Sequence, residues 1–118
     1  MKVANLEGAL LDYWVAKADG CLEVVYLYQD DKYYATDCGV PVYYSRDWSK
    51  GGPIIEREGL VIAPRAHPDF IATMTWASQP YRGKSAQHIG STPLIAAMRA
   101  FVASKFGEEV EDAPSVTG

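Results

Sequence analysis

The chain has 118 residues, 48% hydrophobic, 12% aromatic and 22% charged, which describes one globular domain and excludes disordered, collagenous and low-complexity chains. Its formal net charge of −4 carries no global polyanion-binding signature. The apolar run Pro93 to Ala103 is interrupted by Arg99 and is too short to span a bilayer, and Lys2 is followed by Asn5, Glu7 and Gly8 rather than by a secretory core.

Asn5 has the chemistry of an N-cap, and Glu7 suits the positive end of a helix dipole. Leu6, Leu10, Tyr13 and Lys17, with Ala9 and Trp14, recur at helical spacing, and Gly20 supplies a stop, so a helix is predicted over about 6–18. Leu22 to Tyr28 reads as a strand by its β-branched and aromatic content. Both of its faces are largely apolar, which predicts a central strand or one covered on both sides. Gln29-Asp30-Asp31-Lys32 is a polar turn, and Tyr33 to Thr36 returns to complete a hairpin. After the turn Asp37-Cys38-Gly39, Val40 to Tyr44 is extended. Pro41 lacks an amide donor, so this strand belongs at an edge.

Gly51 and Gly52 allow a tight bend, Pro53 fits the first position of a short helix, and Gly59 fits its end. Ile54 and Ile55 anchor that helix. Leu60 to Ala63 and Ala72 to Ala77 read as two further strands, joined by a loop with Pro64 and His67-Pro68-Asp69. Gln79 to Ser91 reads as an exposed, mobile polar loop. Thr92 caps a last helix, Pro93 takes its first turn, and Phe106-Gly107 closes it. Leu94, Ala97, Met98, Phe101, Val102 and Lys105 form its stripe, with Arg99 and Ser104 off it.

The predicted fold is α+β: an antiparallel sheet of about five strands, with the N- and C-terminal helices packed on one face. Residues 1–107 form the single domain, and 108–118 an acidic, frayed tail. The pairs Tyr26/Tyr28, Tyr33/Tyr34 and Tyr43/Tyr44 put rings on both sheet faces, so helices on one face leave rings bare on the other.

Four of the acids, Glu108, Glu109, Glu111 and Asp112, lie in that tail, and residues 1–107 carry equal numbers of both signs. Arg65, Arg82, Lys84, Arg99 and Lys105 face only Asp69 between residues 65 and 105, which leaves room for a local basic patch. Two cysteines, Cys21 and Cys38, fit reduced thiols in a cytosolic chain. With His67 and His88 they match no short-ligand zinc spacing, so neither a metal nor another cofactor is predicted. Gly83-Lys84-Ser85 echoes a phosphate loop but lacks both the earlier glycine and a following helix. No G-x-S-x-G elbow or nucleophile–base pattern exists, and Glu56 and Glu58, two apart, diverge on a helix.

Three stretches carry a resemblance. They are Leu11-Asp12-Tyr13-Trp14-Val15-Ala16-Lys17-Ala18, the block from Tyr44 to Glu56 (Tyr-Ser-Arg-Asp-Trp-Ser-Lys-Gly-Gly-Pro-Ile-Ile-Glu), and Thr92-Pro93-Leu94-Ile95-Ala96-Ala97-Met98-Arg99. Together they resemble the NinX-like family of small phage and prophage proteins of unknown function, over most of the chain to about Val110. The resemblance implies a phage-derived protein of the bacterial cytoplasm and no particular reaction. The family takes its name from a phage region linked to replication, recombination and late-gene control.

The sequence therefore predicts a non-enzymatic phage accessory protein that binds another protein or a second copy of itself, with no membrane partner. Two alternatives stand beside it. One is a nucleic-acid-binding accessory protein using the basic residues of the C-terminal half. The other is a small-molecule binder or enzyme at the Asp-Trp-Ser-Lys-Gly-Gly-Pro segment. The candidate binding residues are Asp47, Trp48, Gly51, Gly52, Pro53, Glu56, Arg57 and Arg99, and no residue is assigned a catalytic role.

Overall fold

A computed structural model describes residues 1–67, 70–82 and 86–112. A short 3-10 helix, Val3–Asn5, precedes α1 (Gly8–Ala18). Helix α1 starts later than the spacing predicts because Glu7 is extended and Gly8 takes a left-handed φ of 56°, a conformation open to glycine at little cost. Asn5 lies in the 3-10 helix and caps nothing. The buried face of α1 is Leu11, Asp12, Val15 and Ala16, rotated from the predicted stripe. The apolar residues wrap more than one side of this helix, so spacing alone did not fix its orientation.

The first hairpin is β1 (Val24–Gln29) and β2 (Lys32–Asp37), with β3 (Val40–Pro41) beyond it in the order β1-β2-β3. Asp30 and Asp31 both have positive φ, 53° and 62°. That matches the primed two-residue turn whose twist suits a hairpin, and aspartate tolerates it better than most residues. Strand β3 lies at an edge, and so does β1. Its apolar composition on both faces had pointed to a central strand.

Helix α2 (Trp48–Glu58) separates this sheet from a second one, β4 (Leu60–His67), β5 (Phe70–Pro80) and β6 (His88–Gly90), again antiparallel and in chain order. A single sheet of about five strands is thus not what forms. Strands β4 and β5 run to eight and eleven residues, longer than predicted, and pair with each other. Pro64 sits inside β4, which is tolerable on an edge strand. The third place beside β5 is filled by β6, from the segment predicted as an exposed loop, and there His88 and Gly90 are buried. The expected turn Pro68-Asp69 and the motif Gly83-Lys84-Ser85 fall partly or wholly outside the described residues, as do residues 113–118 of the expected tail.

The two end helices do not share a sheet face. Helix α1 packs on β1 and β2, α3 (Pro93–Phe106) packs on β4, β5 and β6, and the two helices pack on each other. Thr92 caps α3 through its hydroxyl, which accepts the Ile95 amide at 3.1 Å. Beyond the predicted stripe, Ala96, Ala100 and Ala103 are buried as well, so α3 is enclosed on several sides. Residues 1–3 run against 108–110, with the Val3 amide donating to the Glu108 carbonyl at 2.9 Å.

The small residues on α3 matter because backbones approach closely there. A Cβ placed on Gly90 would lie 2.6 Å from the amide nitrogen of Ala96, and main chain cannot turn aside. Gly90→Ala is expected to destabilise the fold by about 1–3 kcal/mol, the usual cost of overpacking, read as a lower urea midpoint at unchanged slope. An unaltered midpoint would contradict this approach.

Candidate functional site

The Asp47–Arg57 segment forms a helix rather than a bend. Asp47 caps α2: its Oδ1 accepts the Ser49 amide at 2.9 Å and the Ser49 hydroxyl at 2.6 Å. Those bonds, the hydroxyl's first, hold its carboxyl below the ordinary range. Trp48 is 54% exposed, and its ring lies over Gly52 one turn on. Pro53 is inside the helix, where it removes the amide that would bond the Ser49 carbonyl. Gly52, lacking a Cβ, eases the clash that a residue before proline normally meets in helical conformation. Gly51 serves close packing: a Cβ there would lie 2.5 Å from Leu94 Cδ1 and 2.8 Å from the Tyr44 carbonyl oxygen. Glu56 is exposed.

Arg57 and Arg99 serve different junctions. Arg57 bridges Asp19 at the end of α1 (2.7 Å) and Glu58 (3.0 Å), while Lys105 of α3 reaches Glu58 at 3.1 Å. The Glu58 bond, then that of Asp19, raises the already high pKa of Arg57. Both cations also lie over the buried Phe101 ring, at 5.7 and 5.8 Å. Arg99 donates to the carbonyls of Leu6 (2.8 Å) and Ile89 (2.7 Å), tying the N-terminal segment and β6 to α3. It pairs with neither Glu56 nor Glu58, and burial lowers its pKa. No hydrogen bond or ion pair among the described residues links Trp48, Arg57 and Arg99.

What the fold brings together lies next door. A groove of about 720 Å³ is lined by Gly8 and Ala9 at the start of α1, by Asp31, Lys32, Tyr33 and Tyr34 of the hairpin, and by Tyr43, Arg46 and Asp47 ahead of α2. Arg46 lies over the Tyr43 ring, 4.7 Å from its centroid. Of the predicted residues only Asp47 reaches this groove. The tyrosine doublets are the signal available for Tyr33, Tyr34 and Tyr43.

One buried bond joins two of the groove's walls. Asp12, with no solvent exposure, accepts the Ser45 amide on Oδ1 at 2.8 Å, and so fixes the turn that delivers Arg46 and Asp47. Its Oδ2 has no hydrogen-bond partner among the described residues. Burial raises its pKa, outweighing the Ser45 bond and the nearby Arg46 charge.

A train of rings crosses the same side of the molecule. Phe106 meets Trp14 edge-on at 5.6 Å, Trp14 meets Tyr13, Tyr13 meets Tyr26, and Tyr26 stacks on Tyr33 at 5.3 Å. These sheet rings lie on the face toward α1. The opposite face carries Val25, Leu27 and Tyr34, so most of the rings are not on the uncovered side. Cys21 lies 3.8 Å from the Tyr44 hydroxyl and Cys38 is exposed. Among the described residues no group of His, Cys, Asp and Glu has the makings of a metal site, and no helix is long and apolar enough to cross a membrane.

A family model described as bacteriophage P22 NinX matches residues 2–105. The chain belongs to the phage NinX family. No curated protein matches it. Membership makes it a phage accessory protein whose specific function is not assigned. The three stretches that carried the NinX resemblance touch one another: Asp12 bonds Ser45, and Gly51 abuts Leu94. Asp12, Ser45, Gly51 and Leu94 of these stretches are thus packing residues of the α1–α2–α3 junction.

Two outcomes check this junction. Gly51→Ala is expected to lower stability by about 1–3 kcal/mol through overpacking, reduced by up to about 1 kcal/mol of gained helix propensity. Calorimetry showing a raised melting temperature would refute the close contact. For Asp12, a raised folded pKa means that the native state holds the proton more tightly than the unfolded chain. The resulting stabilisation is complete below the ordinary carboxylate value of about 4 and is lost as pH rises through the folded value. Asp12→Asn removes that dependence, so urea titrations should show the variant gaining on the parent chain as pH rises above about 4. Parallel pH profiles would show that Asp12 is not perturbed.

Proposed function

We propose that this phage accessory protein is a non-enzymatic protein-binding module of the bacterial cytoplasm, docking its partner at the groove between α1, the β1–β2 turn and the Tyr43–Asp47 turn. The groove itself carries the reading. Its lining combines tyrosine rings with both signs of charge, Asp31 and Asp47 against Lys32 and Arg46. Tyr33 is 53% exposed at its rim. Rings that bring large area at small entropic cost, edged by charges of both signs, suit a polypeptide better than a polyanion.

The arrangement of the basic residues supports the same choice. Arg99 is held on backbone carbonyls and Lys105 on Glu58, and Arg65 donates to Gln87 at 2.7 Å. These three cations are engaged at separate junctions, two of them at the surface, which weakens the nucleic-acid alternative. The small-molecule reading at the Asp47–Pro53 segment is weakened by the open position of Trp48 and the helical course of Gly51 to Pro53.

The test is site-specific photocrosslinking in phage-infected cells. A photoreactive phenylalanine analogue at Tyr33 is expected to give a discrete adduct with a different polypeptide. The adduct should disappear with Arg46→Glu and be absent when the analogue replaces Gln79. No adduct at Tyr33, or the same adducts at both positions, would overturn the docking reading.

A further inference from the structure

Strand β1 is built as an interior strand and left at an edge. Val24-Val25-Tyr26-Leu27-Tyr28 is apolar or aromatic on both faces, with no proline, charge or bulge to blunt it, although exposed edges usually carry such guards. The other edge strands have them or are short: β3 contains Pro41, β4 contains Pro64 and a bulge at Ala66/His67, and β6 has three residues. Leu22, just before β1, is 96% exposed.

The hairpin fixes which backbone groups are open. Gln29 and Lys32 close the two-residue turn, so they form a hydrogen-bonded pair, and the pairs Leu27–Tyr34 and Val25–Thr36 follow by alternation. The Cys38 amide, donating to the Glu23 carbonyl at 3.1 Å, continues that parity. The amides and carbonyls of Val24, Tyr26 and Tyr28 therefore point away from β2. Among the described residues they have no backbone partner.

The geometry points to a closed homodimer in which β1 pairs antiparallel with β1 of a second copy, across a two-fold axis at Tyr26. The outward groups are centred on Tyr26, so this register uses all of them. It sets Tyr26 against Tyr26, Val24 against Tyr28 and Val25 against Leu27 of the other copy. Glu23 falls opposite neutral Gln29, so no like charges meet, and the exposed Leu22 comes diagonal to Tyr28. The strand is thus its own complement, as an isologous interface requires, and the two sheets become one of six strands with β1 in the middle. The helices leave room. With strands about 4.8 Å apart and α1 lying over β1 and β2, the two α1 helices stand about 10 Å apart, the spacing of packed helices, so they flank the axis without overlap. This pairing goes beyond the docking reading, because it uses the strand edge instead of the groove and names its occupant.

Light scattering of the full chain across a dilution series is expected to give twice 13.0 kDa, falling toward one chain only on dilution. Leu27→Lys alone and Val25→Glu alone are each expected to yield the single-chain mass with an unchanged circular dichroism spectrum. The double variant should restore the dimer, since each new glutamate then faces the lysine of the other copy. A single-chain mass at every concentration, a mass above two chains, or a double variant that stays monomeric while folded overturns the pairing. Should either single variant unfold, the parent chain's mass and the double variant still decide. None of these results bears on the Tyr33 crosslink, which tests the docking groove separately.

Discussion

Helix α3 has almost no dry-to-wet asymmetry, and that constraint organises the molecule. The second sheet, α1, α2 and the N-terminal 3-10 helix all pack on it. Closeness is obtained with small side chains: Ala96, Ala97, Ala100 and Ala103 on the helix, Gly51 and Gly90 on the elements that meet it. The one long cation of its middle turns, Arg99, is accommodated because two carbonyls receive its guanidinium. A core of this kind depends on interlocking shape as well as on buried area.

Such a core explains why the NinX-like residues need not mark a reaction centre. Asp12, Ser45, Gly51 and Leu94 lie where α1, the turn before α2, and the start of α3 converge. A buried carboxylate that holds one backbone amide does structural work at an electrostatic cost. That bond fixes the relation between α1 and the Tyr43–Asp47 turn, and hence the groove between them. The proposed docking groove and the packing of the core are joined through a residue that solvent does not reach.

Local chemistry made much of this legible. Thr92-Pro93 announced α3, Asp30-Asp31 announced the first hairpin, and Pro41 marked an edge. What sequence left open was nonlocal. The turns between strands say nothing about which strands pair, so two sheets read as one. Strand β6 has a polar neighbourhood, and β5 holds it in place, so its own composition gave no strand signal. Gly51-Gly52-Pro53 has the composition of a bend. One glycine there answers to Leu94 and the other to the proline, contacts visible only once α3 is in place. Arg57 and Arg99 were legible as residues of interest, but their partners sit on other elements.

The position of α3 in the chain has a consequence for biosynthesis. The second sheet, α1, α2 and the 3-10 helix all pack against an element that follows them in the chain. Until Pro93–Phe106 has left the ribosome, the β4–β5 hairpin, β6 and α1 lack the surface they are shaped to cover. Before then only α1 with the first hairpin has its packing partner, and cooperative folding of the remainder waits for α3.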